Sequence, residues 1–247
     1  SVTNISVTVL ASPASQLVFV VGPTPVVAGE TMPSLTLGFR DAYGNAVDIH
    51  SGVLQLTVAD FEGDWSDAVA RRFDVGLDSG PAIFSEVVLT KAGRYRLLAH
   101  WDEGDMFSPP SDWFVVSPGT RDHLGFGENL APGPIEVAGQ SFGRFAVVLL
   151  DRFDNVVTTD SSVIALSGRM QGPDQHWLEV PLDGDLSNPV EAGYAFFDDV
   201  AARRTGLLQL VATSSHQELL PLQQELTIVP ADANRLNILG LTSPWRA

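Results

Sequence analysis

Short runs in which apolar and polar residues alternate recur along the whole chain, and glycine, proline, asparagine and aspartate separate them. Leu35-Thr36-Leu37-Gly38-Phe39 and Tyr95-Arg96-Leu97-Leu98-Ala99 show the pattern plainly. A period of two sends alternate side chains to opposite faces of a strand, so one face of each run points to a core. The runs predict strands near residues 16–22, 34–41, 53–59, 69–75, 82–89, 94–101 and 112–117. A second set follows near 122–127, 143–150, 162–167, 176–182, 194–200, 207–213 and 223–229. No run sustains the 3.6-residue period of a helix.

The two sets are copies of one pattern. Val115-Val116-Ser117-Pro118 leads to Leu124-Gly125-Phe126, as Val9-Leu10-Ala11-Ser12-Pro13 leads to Leu17-Val18-Phe19 and Ile228-Val229-Pro230 leads to Leu236-Asn237-Ile238. Each is a β-rich run, a proline that cannot continue it, a polar connector and a new apolar run. The spacing from Leu17 to Leu124 is 107 residues, and from Leu124 to Leu236 it is 112. Inside each period Ala28-Gly29 answers to Ala138-Gly139, and Ala82-Ile83-Phe84 to Ala195-Phe196-Phe197. A period near 110 with seven short strands is that of an immunoglobulin-like domain. The expected fold is all-β: two tandem immunoglobulin-like Greek-key β-sandwiches, with repeats at 13–118 and 119–230. Residues 1–12 read as the closing strand of a preceding repeat and 231–247 as the opening strand of a following one. Such orphan strands are expected to be disordered or to complete a neighbouring molecule's sheet.

Composition narrows the function. The chain has 247 residues, 22 glycines and 16 prolines, and its 45% apolar content is enough for folded cores. Thirty acidic residues against fourteen basic ones give a net charge of −16, and Lys91 is the one lysine. A nucleic acid would be repelled, and no basic cluster offers a local exception. No apolar stretch approaches the ~18 residues that cross a bilayer as a helix, so no membrane insertion is expected. The sequence contains no cysteine, which removes disulfides and thiolate chemistry.

One motif is repeated at the end of the second long strand of each period. It is Asp41-Ala42-Tyr43-Gly44-Asn45-Ala46-Val47 in the first repeat and Asp151-Arg152-Phe153-Asp154-Asn155-Val156-Val157 in the second. Asp41 and Asp151 are expected to accept a hydrogen bond from the backbone two residues on, closing an Asx-turn. Gly44, Asn45, Asp154 and Asn155 are residue types that tolerate positive φ. On that basis Asn45→Val is expected to cost about 1 kcal/mol or more through strain.

Together with Ala-Gly before the strand and Lys91-Ala92-Gly93-Arg94-Tyr95-Arg96-Leu97-Leu98-Ala99, this motif resembles the bacterial Ig-like repeats of invasin/intimin-type adhesins and other large repetitive surface proteins. The motifs are short and are shared with filamin-like repeats. The second repeat departs from the pattern, with Arg204-Thr205-Gly206-Leu207-Leu208 lacking the lysine and the tyrosine. The resemblance implies an extracellular or cell-surface spacer or adhesive stalk. It carries over no catalytic residue.

Gly139-Gln140-Ser141-Phe142-Gly143 matches a nucleophile elbow in letters, but that elbow needs a helix after it, and here a strand is expected. His50, His100, His123, His176 and His216 are dispersed without metal-ligand spacing. Three acidic loops supply hard oxygens for Ca²⁺: Asp60, Glu62 and Asp64; Asp102 and Asp105; Asp183 and Asp185. None fits an EF-hand, since the sixth and twelfth positions counted from Asp183 are Asn188 and Tyr194. Trp65, Trp101, Trp113 and Trp177 are either sugar-stacking residues or core anchors. The reading is a non-catalytic extracellular spacer with no cofactor beyond the Ca²⁺ candidates. Its partners are neighbouring repeats, a further copy or a surface ligand. The alternative is a carbohydrate- or ligand-binding module.

Overall fold

The computed structural model describes residues 8, 10–62, 73–77, 80–172, 174–216 and 218–232, with the backbone alone at 60–62 and 73. All regular structure among them is β. They form two compact units: residues 1–120 with Asp151–Asn155, and residues 121–150 with 156–247.

The first unit contains β1 (Gln16–Val21), β2 (Val26–Val27), β3 (Leu35–Arg40), β4 (Ala46–Val47), β5 (Val53–Glu62), β6 (Phe73–Gly76), β7 (Ala82–Phe84), β8 (Gly93–Trp101), β9 (Met106–Phe107) and β10 (Phe114–Ser117). One sheet places β3 beside β1, with β4 and β7 also paired to β3. The other runs β2-β10-β8-β5-β6, with β9 on β8. The alternation in β3 is realised side chain by side chain: Leu35, Leu37 and Phe39 are buried, while Thr36, Gly38 and Arg40 are half-exposed. Leu17, Leu54, Leu56 and Leu97 complete the fully buried set. Each such leucine stabilises the fold by about 1.5–3 kcal/mol through removal from water. Tyr95 stacks on Phe114 at 5.8 Å within this core and donates its hydroxyl to the Lys91 carbonyl at 2.7 Å.

The second unit contains β11 (Arg121–Phe126), β12 (Ile135–Val137), β13 (Phe145–Asp151), β14 (Val163–Gln171), β15 (Trp177–Val180), β16 (Leu182–Asp183), β17 (Ser187–Pro189), β18 (Tyr194–Phe197), β19 (Ala201–Ala202), β20 (Gly206–Ser214) and β21 (Leu222–Val229). Its sheets run β11-β13-β18 and β12-β21-β20-β14-β15, with β17 on β14, and β16 pairs β19. The order of the main strands repeats that of the first unit, β11-β13-β18 answering to β1-β3-β7 and β12-β21-β20-β14-β15 to β2-β10-β8-β5-β6. Phe145 stacks on Phe197 at 5.3 Å, with Leu149, Ile164, Leu208, Leu210 and Leu226 buried around them.

In both units the first strand lies in one sheet and the next strand in the other. Pro23 and Pro25 separate β1 from β2, and Pro132 and Pro134 separate β11 from β12. Proline offers no donor to a ladder, so the chain leaves the first sheet there. β2 then pairs parallel to β10 through Val26↔Val116, and β12 parallel to β21 through Ile135↔Thr227. This split opening strand with antiparallel Greek-key connections is the immunoglobulin-like arrangement.

The seven strands expected in each period are present, with differences at the edges. β7 stops at Phe84, because residues 85–89 make a single bridge, Thr31↔Val88, and isolated backbone bonds rather than a ladder. The short strands β2, β4, β9, β12, β16, β17 and β19 were not expected, since two or three residues carry no readable period. The expected strand at 69–75 is seen from Phe73; residues 69–72 lie outside the described residues. So do Ile5 and Val7 of the orphan closing strand and all of 236–247.

Candidate functional site

The repeated aspartate turns are the most elaborate polar structures in the molecule. β3 ends at Arg40, and residues 41–45 turn the chain into β4. Asp41 is fully buried. Its Oδ1 accepts the N–H groups of Tyr43 and Asn45, each at 2.9 Å. Its Oδ2 accepts the Asn45 side-chain amide at 3.0 Å and both the N–H (3.0 Å) and the hydroxyl (3.2 Å) of Ser12. The backbone closes beneath, with Asp41 N–H donating to the Asn45 carbonyl at 2.9 Å and Gly44 N–H to the Asp41 carbonyl at 3.1 Å. The Asn45 amide holds the Asp41 carboxyl well below the usual carboxylate range; burial opposes this, and the N–H groups of Ser12, Asn45 and Tyr43 reinforce it.

Residues 151–155 repeat this geometry. Asp151 Oδ1 accepts from the N–H of Phe153 (2.8 Å) and Asn155 (3.0 Å), and Oδ2 from the Asn155 amide (2.9 Å) and the Gly119 N–H (2.7 Å). Burial raises the Asp151 carboxyl, but the Asn155 amide and the N–H groups of Gly119, Asn155 and Phe153 outweigh it, and the net shift is downward. Gly119 stands 107 residues after Ser12, so each turn grips the connector before its own opening strand. Asp41, Asn45, Asp151 and Asn155 supply the side-chain hydrogen bonds of the two turns. Positive φ falls on Gly44 (85°) and Asp154 (60°), not on Asn45 or Asn155. Asn45→Val therefore incurs no penalty from positive φ. The asparagines are held by hydrogen bonding: their amides donate to the buried carboxylate, and their N–H and C=O groups close the turn.

The two copies differ in surroundings. Tyr43 is 85% exposed and Asn45 is exposed, whereas Asn155 is buried and Phe153 packs at the edge of the first unit's core. The Asn155 amide also donates to the Thr90 carbonyl at 2.8 Å, and its Oδ1 accepts the Ala92 N–H at 2.8 Å.

A second polar cluster, not anticipated from sequence, lies in the second unit. The Asp160 side chain is 5% exposed and receives the Ser162 N–H at 2.7 Å and Arg121 Nη1 at 3.0 Å, with His216 Nε2 at 3.5 Å. Arg121 also pairs with Glu218 at 2.8 Å, which chiefly raises its own pKa. These residues are far apart in sequence, so no local motif announces them. The cluster ties the opening strand to two loops.

The remaining candidates hold the structure in other ways. Ser141 donates its hydroxyl to the Asp198 carbonyl at 2.9 Å and accepts the Gly143 N–H at 3.1 Å, so the elbow-like motif is a turn between β12 and β13. Asp102 accepts the Val53 N–H at 2.7 Å, and Asp105 pairs with His100 at 3.1 Å. Asp183 pairs with Arg203, and the Asp185 N–H donates to Asp199 Oδ1 at 2.9 Å. Asp64 and Trp65 lie outside the described residues, as do the side chains of Asp60 and Glu62. Among the described residues no three metal-ligating side chains converge.

Trp101 packs edge-on against Phe39 at 5.1 Å and donates to the Ser51 carbonyl at 3.2 Å. Trp113, 37% exposed, is overlain by Arg94 and Arg96 at 4.9 and 5.5 Å. Two depressions on the first unit, about 230 and 220 Å³, fall below the ~300–1,000 Å³ of small-molecule sites. Among the described residues no helix is long and apolar enough to cross a membrane.

No family model and no curated protein matches the sequence. Among solved structures, a glycosyl hydrolase family 2 member from Bacteroides cellulosilyticus is 10% identical with a TM-score of 0.35, covering 82% of this chain and 23% of that one. The Escherichia coli adhesin FdeC is 17% identical with a TM-score of 0.37, covering 90% of this chain and 68% of that one. Invasin, a bacterial integrin-binding protein, is 17% identical with a TM-score of 0.37, covering 87% and 40%. The chain thus spans about a quarter of the glycosyl hydrolase and less than half of invasin. The structures similar to this all-β chain include bacterial adhesins of the invasin type, and its immunoglobulin-like assignment rests on its own strand order.

Proposed function

We propose that this chain is a non-catalytic structural segment, two consecutive immunoglobulin-like repeats acting as a spacer in a longer extracellular or cell-surface protein. One observation carries the reading. The two fully buried aspartates, the groups best suited by burial to unusual chemistry, have their oxygens occupied by backbone and amide donors. Each fixes the connector that enters its own sandwich. A connector held by a buried carboxylate resists extension along the chain, which is what a spacer requires. The adhesins among the structural neighbours agree with this use of the fold.

The carbohydrate-binding reading is the weaker one. Sugar stacking needs an open aromatic face, and the guanidinium groups of Arg94 and Arg96 lie over Trp113. Pulling the protein from its two ends by single-molecule force spectroscopy tests the spacer reading. Two separate unfolding events are expected, each releasing roughly 35–40 nm for ~110 residues at ~3.3–3.6 Å per residue. Saturable binding to a glycan panel, abolished by Trp113→Ala with the fold intact, would replace the spacer with a binding module.

A further inference from the structure

Within the first unit, residues 151–155 occupy a defined seat. Gly29, at φ 81°, faces Phe153 so closely that a Cβ on this glycine would fall inside the Phe153 ring. Beside it the Thr90 carbonyl and the Ala92 N–H take the two ends of the Asn155 carboxamide. The seat accepts a flat ring over a glycine and a carboxamide against one donor and one acceptor.

Both halves of this arrangement exist a second time, unengaged. The turn at 41–45 has the same internal hydrogen bonds, yet its ring, Tyr43, and its carboxamide, Asn45, are exposed. The seat's framework recurs in the second unit. Gly29 N–H bonds the Leu89 carbonyl at 2.8 Å, and Gly139 N–H bonds Ala202 at 2.8 Å; Met32 bonds Val87 and Phe142 bonds Val200, both at 2.8 Å. By this correspondence Thr90 and Ala92 answer to Arg203 and Thr205. Gly139, at φ 78°, has no atom within 4 Å of where a Cβ would stand, and residues 203–205 are exposed.

We propose that the turn at 41–45 docks on the seat around Gly139 and residues 203–205 of a second copy of this chain. The Tyr43 ring covers Gly139, and the Asn45 carboxamide bridges the Arg203 carbonyl and the Thr205 N–H. Turn and seat lie on different units, so the contact is heterologous and propagates head to tail. The joint extends the spacer reading and rests on it for its purpose.

A photo-cross-linking amino acid tests this without removing the ring: Tyr43→p-benzoylphenylalanine in the full chain. Irradiation is expected to give a ladder of cross-linked oligomers whose junction peptides contain residues 137–142 or 203–206. Gly139→Ala in the same chain should abolish the ladder, because the added methyl takes the place the ring needs. The same probe at Ile83, exposed on another strand, sets the background. A Tyr43 ladder no stronger than the Ile83 background, or junction peptides from elsewhere, overturns the joint. Two clean unfolding events without the ladder would remove the joint and leave the spacer. A ladder in a protein that binds glycans through Trp113 would do the reverse.

Discussion

At the scale of single residues, the turns combine two requirements that rarely meet in one position: a buried charge and a reversal of the chain. The Asp41 and Asp151 carboxyls titrate below their ordinary value, so their contribution to stability is present above the unfolded pKa, near ~4. It is lost as pH falls through the folded values. Urea midpoints should therefore stay level near neutrality and drop below about pH 4. The double variant Asp41→Asn/Asp151→Asn should be weaker at pH 7 and show a shallower acid decline. An unchanged acid slope would mean that these carboxyls do not carry the dependence. Of the four motif residues that tolerate positive φ, Gly44 and Asp154 adopt it. Gly44→Val should cost about 1–3 kcal/mol, because a β-branched residue is forced to positive φ. Gly44→Asp, the residue of the second copy, should cost clearly less. Equal denaturant midpoints for the two variants would refute this placement of strain.

At the scale of elements, the period of two is what made strands readable, and it can be tested in one dipeptide. Phe196 and Phe197 are neighbours in β18 and point to opposite faces. Phe197 is buried against Phe145, while Phe196 is 37% exposed beneath Arg144 at 4.4 Å. Phe197→Ala should cost about 3–5 kcal/mol and Phe196→Ala less than about 1 kcal/mol, measured by thermal or urea unfolding. Comparable losses would mean the register is wrong. The run Phe145-Ala-Val-Val-Leu at the start of β13 is buried on both faces, so its strand is legible as an apolar block rather than an alternation. β2 and β12 escape any reading by pattern. Their two or three residues are strands only because β10 and β21 lie beside them, and the prolines before them announce a break but not a partner.

For the whole molecule, the repeat near 110 residues fixes that there are two sandwiches of one kind, and the chain's own residues carry that information twice. The different fates of the two turns are a matter of tertiary structure alone. Asn45 and Asn155 occupy equivalent places in equivalent motifs, yet only Asn155 is buried against Thr90 and Ala92, more than 60 residues before it. Asn155→Ala should accordingly cost about 1–3 kcal/mol, since it removes the side-chain donor to the buried Asp151 carboxylate and the partner of both the Thr90 carbonyl and the Ala92 N–H. It should also speed hydrogen exchange at the Ala92 amide. Asn45→Ala should cost less and leave Ala92 unchanged, and equal effects would refute the distinction. The sequence by itself determined strand periodicity, the repeat, the turn residues and the exclusion of thiol chemistry, because all of these are written in local spacing or composition. Tertiary structure decided the short sheet-switching strands, the Asp160 cluster, the capping of Trp113 and the seating of Asn155. Each depends on groups distant in sequence that become neighbours only when strands pair and loops pack against them.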